Sequence, residues 1–180
     1  APLSECLVAL TGAVARLNAS TRACVLLASP DRMAMVDSYS STIPKSFGDA
    51  ICGASIREIG IGMCGTSFWD RRPVTCPDIA DDDSWSPMWR DLCVEHGIRA
   101  CHAKPVLARD GHALASFFLA FSEARHTGSW STRMPRYLLS FVAALMFSSC
   151  VASELATCRG STSIRMTEAP AVLLQKDGEA

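Results

Sequence analysis

The stretch "IRACHAKPVLARDGHALASFFLAF", Ile98 to Phe121, constrains the fold of this chain more than any other. Two long extended runs flank a turn containing Asp110-Gly111, a dipeptide that readily supplies the positive φ angles of a tight hairpin. Strands joined this closely run antiparallel. Side chains alternate along a strand, so Arg99, Cys101, Ala103 and Pro105 share one face and Ile98, Ala100, His102 and Lys104 the other. On the second strand Ala115, Phe117 and Leu119 oppose Ser116, Phe118 and Ala120. Alternation alone leaves open which face is which.

The rest of the chain supplies elements to pack on such a sheet. Leu7, Leu10, Val14 and Leu17 recur at helical spacing. "ACVLLAS" and "MAMVDSYS" read as two strands joined at "PDR". "TIPKSFGDAICG" reads as a short helix with Thr42 as cap, Pro44 near its first turn and Gly53 as its stop. "CGTSFWDRR" is ambiguous, and "PVTCPDI" reads as a brief strand. Ser84 or Ser86 caps a helix over "PMWRDLCVEHG", with Pro87 in its first turn and Gly97 at its end. A long helix is expected from about Thr132 to Thr157, and 159–180 read as a flexible tail. Hairpins dominate and no Gly-rich phosphate loop occurs, which predicts an α+β domain on an antiparallel sheet.

Composition narrows the function classes. At 180 residues and 49% hydrophobic, the chain can bury the core of one domain. A net charge of −1 and the lack of Lys or Arg runs argue against nucleic acid and an anionic membrane surface as partners. "YLLSFVAALMFSSCVAS" has 17 uncharged residues but four serines, and is shorter than the roughly 20 apolar residues of a spanning helix. Nine cysteines, an odd number with no C-x-x-C pair, fit core thiols in a reduced, cytoplasmic protein better than a disulfide framework. "APLSECLVAL" lacks the basic start and long apolar core of a signal peptide.

Three segments in order carry a resemblance: "IGMCGTSFWDRRPVTCPDIADDDSW", "EHGIRACHAKPVLARDG" and "ASFFLAF". Together, over roughly Leu7 to Glu154, they resemble the GAF domain, a small-molecule sensor module of bacterial signalling proteins and phosphodiesterases. "STIPKSFGDAICG" is similar to the family segment that precedes them. The resemblance implies a GAF-like six-stranded antiparallel sheet over 1–158, with helices from both chain ends on one face. It implies a ligand pocket on the other face, under a central segment that arches over it. The residues expected at that pocket are Cys64, Phe68, Asp78, Ile79, Trp85, Trp89, Cys101, Ala103 and Phe117. The chain departs from the family where relatives show Trp-Ser before the Pro, since it has His102-Ala103 and then Lys104. That departure offers positive or donor character to the site. Ala103 replaces a Ser that usually points inward, which would place Cys101 and Ala103 at the pocket and His102 toward the helix layer.

Other chemistry fits less well. Free methionine sulfoxide reductase, a related enzyme, carries a cysteine where Cys64 stands, but its nucleophile falls in a segment with no matching cysteine here. A thiol reductase needs a nucleophile and a resolving thiol within disulfide reach. Cys52, Cys64 and Cys76 recur every 12 residues, which matches no zinc spacing, and the four histidines are dispersed. "ACHA" lacks the helical insertion of bilin-binding GAF domains. Asp81, Asp82 and Asp83 read as a solvated helix entry rather than a calcium loop. Trp85 and Trp89, at i and i+4, share a helix face that can pack on the sheet, line a ligand, or both.

The expectation is therefore a non-catalytic domain that binds an unidentified small molecule and signals through its terminal helices. The broad apolar surface of the long helix, with Leu138, Phe141, Val142, Leu145 and Cys150, predicts a homodimer. The alternatives are an autoinducer-binding domain of a quorum-sensing regulator, whose middle "SPMWRDLCVEHGIRACHAKPVLARDG" resembles, and a thiol-based sulfoxide reductase.

Overall fold

The computed structural model describes residues 2–17, 20–56, 62–108 and 110–125. The elements are α1 (Leu3–Leu17), β1 (Thr21–Ala28), β2 (Met35–Tyr39), α2 (Lys45–Ile51), α3 (Met63–Asp70), β3 (Val74–Cys76), α4 (Pro87–Glu95), β4 (Ala100–Leu107) and β5 (Ala113–Phe121). The five strands form one sheet in the order β2-β1-β5-β4-β3, antiparallel at every pairing. Among the described residues the sheet therefore has five strands where the resemblance implies six. These five are the extended runs legible in the sequence, and outside them, among the described residues, an isolated bridge joins Ala34 to Ser55. The expected helix over 132–157 and the tail over 159–180 lie outside the described residues.

Both predicted hairpins form. Gly111 takes φ 82° and donates to the Ala108 carbonyl at 3.0 Å, closing the β4–β5 turn, while Asp110 Oδ1 accepts from His112 N at 3.1 Å. In the β1–β2 turn Ser29 Oγ accepts from both Met33 N and Ala34 N at 3.1 Å. Arg32 there takes the left-handed φ of 60°.

The register decides the faces. Ala23, Val25, Val106, Ala115 and Phe117 lie under α1, packed with Leu7, Leu10 and Val14. Cys24, Leu26, Cys101, Ala103, Phe118 and Ala120 lie under α2, α3 and α4. Phe117 and Phe118 are both fully buried, on opposite sides of one strand, so β5 belongs to two cores at once. Each such side chain contributes about 1.5–3 kcal/mol by leaving water.

Local chemistry sets the helix ends. Ser86, not Ser84, caps α4: its Oγ accepts from Trp89 N at 3.2 Å, with Pro87 opening the helix and Gly97 following it at φ 62°. The segment left ambiguous in the sequence is α3, which ends at Arg71 with φ 54°. Thr42 does not cap α2. Its Oγ1 accepts instead from Ala23 N at 3.1 Å, holding the incoming chain to β1, and Pro44 occupies the cap position without a side-chain bond. Ser40 makes that bend, donating to the Ala23 carbonyl at 2.6 Å and accepting from Thr42 N and Ile43 N. Among the described residues no helix is long and apolar enough to cross a membrane.

Candidate ligand-binding site

The face under the three central helices carries an aromatic cluster. Phe47 of α2 stacks on Phe118 of β5 with ring centres 5.6 Å apart and planes 17° from parallel. Trp89 of α4 meets Phe47 at 5.8 Å and stands edge-on to Phe118 at 5.9 Å. His96, at the end of the same helix, adds an edge contact to Phe47 at 5.4 Å. Arg22 of β1 holds that helix end in place, donating to the carbonyls of His96 and Gly97 at 2.8 and 2.6 Å. Gly62, just before α3, brings its backbone against the indole, where an added Cβ would lie 3.0 Å from Trp89 Cε3.

Beside this cluster, α2, α3 and α4 leave a cavity of about 140 Å³. Its walls are Ala50 and Ile51 of α2, with Ala54, Ser55 and Ile56 after it. Gly62, Cys64 and Gly65 close the second side. Met88, Trp89 and Leu92 of α4 form the third, and Met35 of β2 reaches in. None of these described residues is charged. Trp89 is 3% exposed, and its Nε1–H is buried without an acceptor among the described residues.

Two of the residues expected from the sequence, Cys64 and Trp89, line this cavity. Phe68, Ile79, Trp85, Cys101 and Ala103 lie in the same buried cluster as Cys64 and Trp89 but are not in the cavity walls. Asp78 stands apart on the loop after β3, in a two-point ion pair with Arg99, whose Nη2 donates to Oδ2 at 2.7 Å. Hydrogen bonds from Arg99 hold its carboxyl below the usual range. Phe117 faces α1 and is separated from the cavity by the sheet itself. The sequence reading missed Ile51, Ile56, Met88 and Leu92. Leu92 carried a signal, since it stands three residues after Trp89 and so shares its helix face.

His102 and Lys104 bring no charge to the cavity. His102 alternates away from Cys101 and Ala103, and its Nδ1 lies 2.7 Å from Thr75 Oγ1 on the neighbouring strand. Burial, with the Lys104 ammonium beside it, lowers its pKa to about 4. The acidic run leads into α4 with Asp81 and Asp83 exposed, and Asp82 adds hydrogen bonds within it. Asp82 Oδ2 accepts from Trp85 Nε1 at 2.9 Å, its Oδ1 accepts from Ser84 N at 3.1 Å, and Asp83 pairs with Arg90 at 2.7 Å. Burial pulls the Asp82 carboxyl up, but the bonds from Ser84, Trp85 and Cys76 outweigh it and leave it below the ordinary carboxylate range.

Cys24, Cys64, Cys76, Cys93 and Cys101 are buried, free thiols on this face of the sheet. Cys76 and Cys101 are direct partners across β3 and β4. Burial pushes the Cys24 and Cys93 thiols up to about 12, and Cys64 and Cys101 well above the ordinary value. The thiolate is the nucleophile, so these four are held in the unreactive form near neutral pH. No group of three or more His, Cys, Asp and Glu able to hold a metal occurs among the described residues.

The order of elements defines an α+β domain on an antiparallel sheet, and the family description of GAF domains matches residues 2–146. The chain belongs to the GAF family. A comparison with curated proteins gave no match. Among solved structures, the GAF domain of Acinetobacter phosphoenolpyruvate-protein phosphotransferase is similar with TM-score 0.57 and 13% identity, covering 86% of each chain. The photoproduct state of GAF3 from Slr1393 of Synechocystis is similar with TM-score 0.57 and 17% identity, over 87% of this chain and 98% of that one. A type II free methionine-R-sulfoxide reductase from Thermoplasma acidophilum has TM-score 0.57 and 10% identity, over 79% of this chain and 91% of that one. At these identities the likeness is one of fold, and the fold hosts both sensing and catalysis.

Proposed function

We propose that this GAF domain is a non-catalytic sensor that binds a small molecule between α2, α3 and α4 and passes occupancy on through its terminal helices. The observation that carries the reading is the cavity beside Trp89: apolar, without charged walls among the described residues, and bordered by a thiol that burial keeps protonated. Such a site can hold a ligand but offers no activated nucleophile, acid or base. The ligand acts on the segment from Asp78 to Trp89, which leads directly into α4, and on the helices at the two chain ends. The protein works in the cytoplasm as a homodimer joined through those helices.

Native mass spectrometry of freshly purified full chain, with a thermal-shift screen of metabolites, tests the reading. A retained small molecule, or a metabolite that raises Tm and loses its effect when the cavity is blocked by Ala54→Phe, is the expected result. No retained mass and no shift across the screen would overturn it. A monomer by light scattering at micromolar concentration would overturn the dimer.

One observation favours a second reading, thiol-based sulfoxide reduction. Cys76 and Cys101 face each other across two strands, at the Cα separation typical of disulfides, and reductases of this kind share the fold. Thiol-dependent reduction of free methionine sulfoxide by wild type, lost in Cys101→Ser, would establish it over the sensor.

A further inference from the structure

We infer that Cys76 and Cys101 are a redox-modification site, where a hydroperoxide converts the two thiols into a cross-strand disulfide that loosens the entry to α4. The inference goes beyond the sensor reading, because it needs no ligand in the cavity. Three observations carry it.

The first is placement. Cys76 of β3 and Cys101 of β4 are direct partners in an antiparallel pair, both are free thiols, and both lie in the core under the central helices. Opposite residues in such a pair have Cα atoms about 4.5–5.5 Å apart, within the roughly 4.4–6.8 Å that disulfides span. The bond can therefore close without parting the strands. Cys24, Cys64 and Cys93 share the core but lack this register. Cys24 stands opposite Phe118, Cys64 is on α3 and Cys93 is on α4.

The second is the order of access. Cys76 and Cys101 are both 0% exposed. Yet β3 has three residues and, among the described residues, is an edge of the sheet. Cys76 is its last residue, and its Sγ donates to Asp82 Oδ2 at 3.5 Å. Asp82 is only half-buried, so the Cys76 thiol touches a residue that reaches the surface. Local opening of this short edge admits a molecule as small as hydrogen peroxide. Cys101 lies deeper, its Sγ donating to Met63 Sδ at 2.8 Å. Burial, and after it the Cys76 thiol alongside, push the Cys101 thiol well up. Cys76 is thus the thiol that meets the oxidant, and Cys101 the one that resolves it.

The chemistry balances with the peroxide alone. The Cys76 sulfur attacks one peroxide oxygen, the O–O bond breaks, and a sulfenic acid and a water form. The Cys101 sulfur then attacks the Cys76 sulfur, the S–O bond breaks, and the S–S bond forms. The Cys101 proton leaves with the hydroxyl as a second water. The two thiols lose two electrons and two protons, and a dithiol restores them by exchange.

The third is what the disulfide takes away. It has no S–H, so Asp82 loses a donor and Met63 loses another. The same Asp82 oxygen holds Trp85 Nε1 at the entry to α4, and Met63 is the first residue of α3. Both helices wall the cavity, so oxidation at the sheet edge reaches the candidate site through two contacts.

The test uses the full chain, reduced with dithiothreitol, desalted and treated with hydrogen peroxide. Remaining thiols are blocked with N-ethylmaleimide in denaturant, and peptides are mapped without reduction. The expected main product joins Cys76 to Cys101 with the loss of two hydrogens, and dithiothreitol reverses it. Dimedone should trap a sulfenic acid at Cys76 in Cys101→Ala, and label Cys101 about 10-fold less in Cys76→Ala. Hydrogen exchange in the linked protein should speed up over residues 80–86 and leave β1 and β5 unchanged. Where a variant fails to fold, the peptide map of the wild type decides. Linkage of either cysteine mainly to another thiol, or oxidation of Cys52 with the pair still reduced, overturns the site. The sensor reading then stands, since a cavity ligand tests it separately. Free methionine sulfoxide should leave the pair reduced; if it links the pair and peroxide does not, the oxidant is overturned in favour of the reductase. Unchanged exchange over 80–86 in linked protein overturns the effect on α4.

Discussion

Gly62 lies flat against Trp89, with room for a hydrogen but not a methyl: a Cβ there would stand 3.0 Å from Cε3 and 3.3 Å from Cδ2 of the indole. To admit it the indole must give by a few tenths of an ångström, against its ring contacts with Phe47 and Phe118. Gly62→Ala should therefore lower stability by about 1 kcal/mol net, overpacking being partly offset by the smaller entropy of the unfolded chain. Urea unfolding measures it, and a neutral or stabilising result would show that the ring shifts freely.

A sharper contact joins α2 to β2. A Cβ on Gly48 would fall 1.8 Å from Ser38 Oγ and 2.6 Å from Ser38 Cβ, so helix and strand must part. Gly48→Ala should cost about 2–3 kcal/mol. The double variant Gly48→Ala with Ser38→Gly should recover most of that loss, and additive losses would rule out this contact as the cause.

His102 makes stability depend on pH. Its folded pKa of about 4 lies below the roughly 6.5 of an exposed histidine, so between these values the unfolded chain binds more protons. Stability should fall as pH drops from about 6.5 toward 4, by about 1–3 kcal/mol from this group. His102→Asn, which keeps a polar partner for Thr75, should flatten the profile in that window. An unchanged slope would assign the acid sensitivity to other groups.

Asp82 organises the entry to α4. Asp82→Ala leaves Trp85 Nε1 and Ser84 N without their acceptor, which should cost about 1–3 kcal/mol. Hydrogen exchange should speed up over residues 80–86 and leave β1 and β5 unchanged. Uniform acceleration across the domain would instead indicate a global loss of stability.

Much of this architecture was legible because it follows from local rules. Asp110-Gly111 and "PDR" mark turns, alternation sorts Cys101 and Ala103 from His102, and Ser86-Pro87 opens a helix. What escaped was set by distant partners. Alternation separates Phe117 from Phe118, but only the docking of α1 on the Phe117 side decides which of them faces the central helices. Thr42 has the right chemistry for a cap, yet a bond to Ala23 on another strand claims its hydroxyl. Asp78 fits a pocket rim by resemblance, while Arg99, 21 residues on, binds it outside the cavity. Cys64 and Trp89 line the cavity because each sits on a helix face, of α3 and of α4, and a helix face is set by local spacing.

The buried thiols make the molecule its own reporter. Cys6 and Cys52 are partly exposed and should react promptly with an alkylating reagent, one on the α1 side of the sheet and one at the end of α2. Cys24, Cys64, Cys76, Cys93 and Cys101 can react only when their surroundings open. Timed alkylation read by mass spectrometry would thus rank the opening of five positions in one unlabelled sample. A ligand seated against Cys64 would slow that residue's clock before any other.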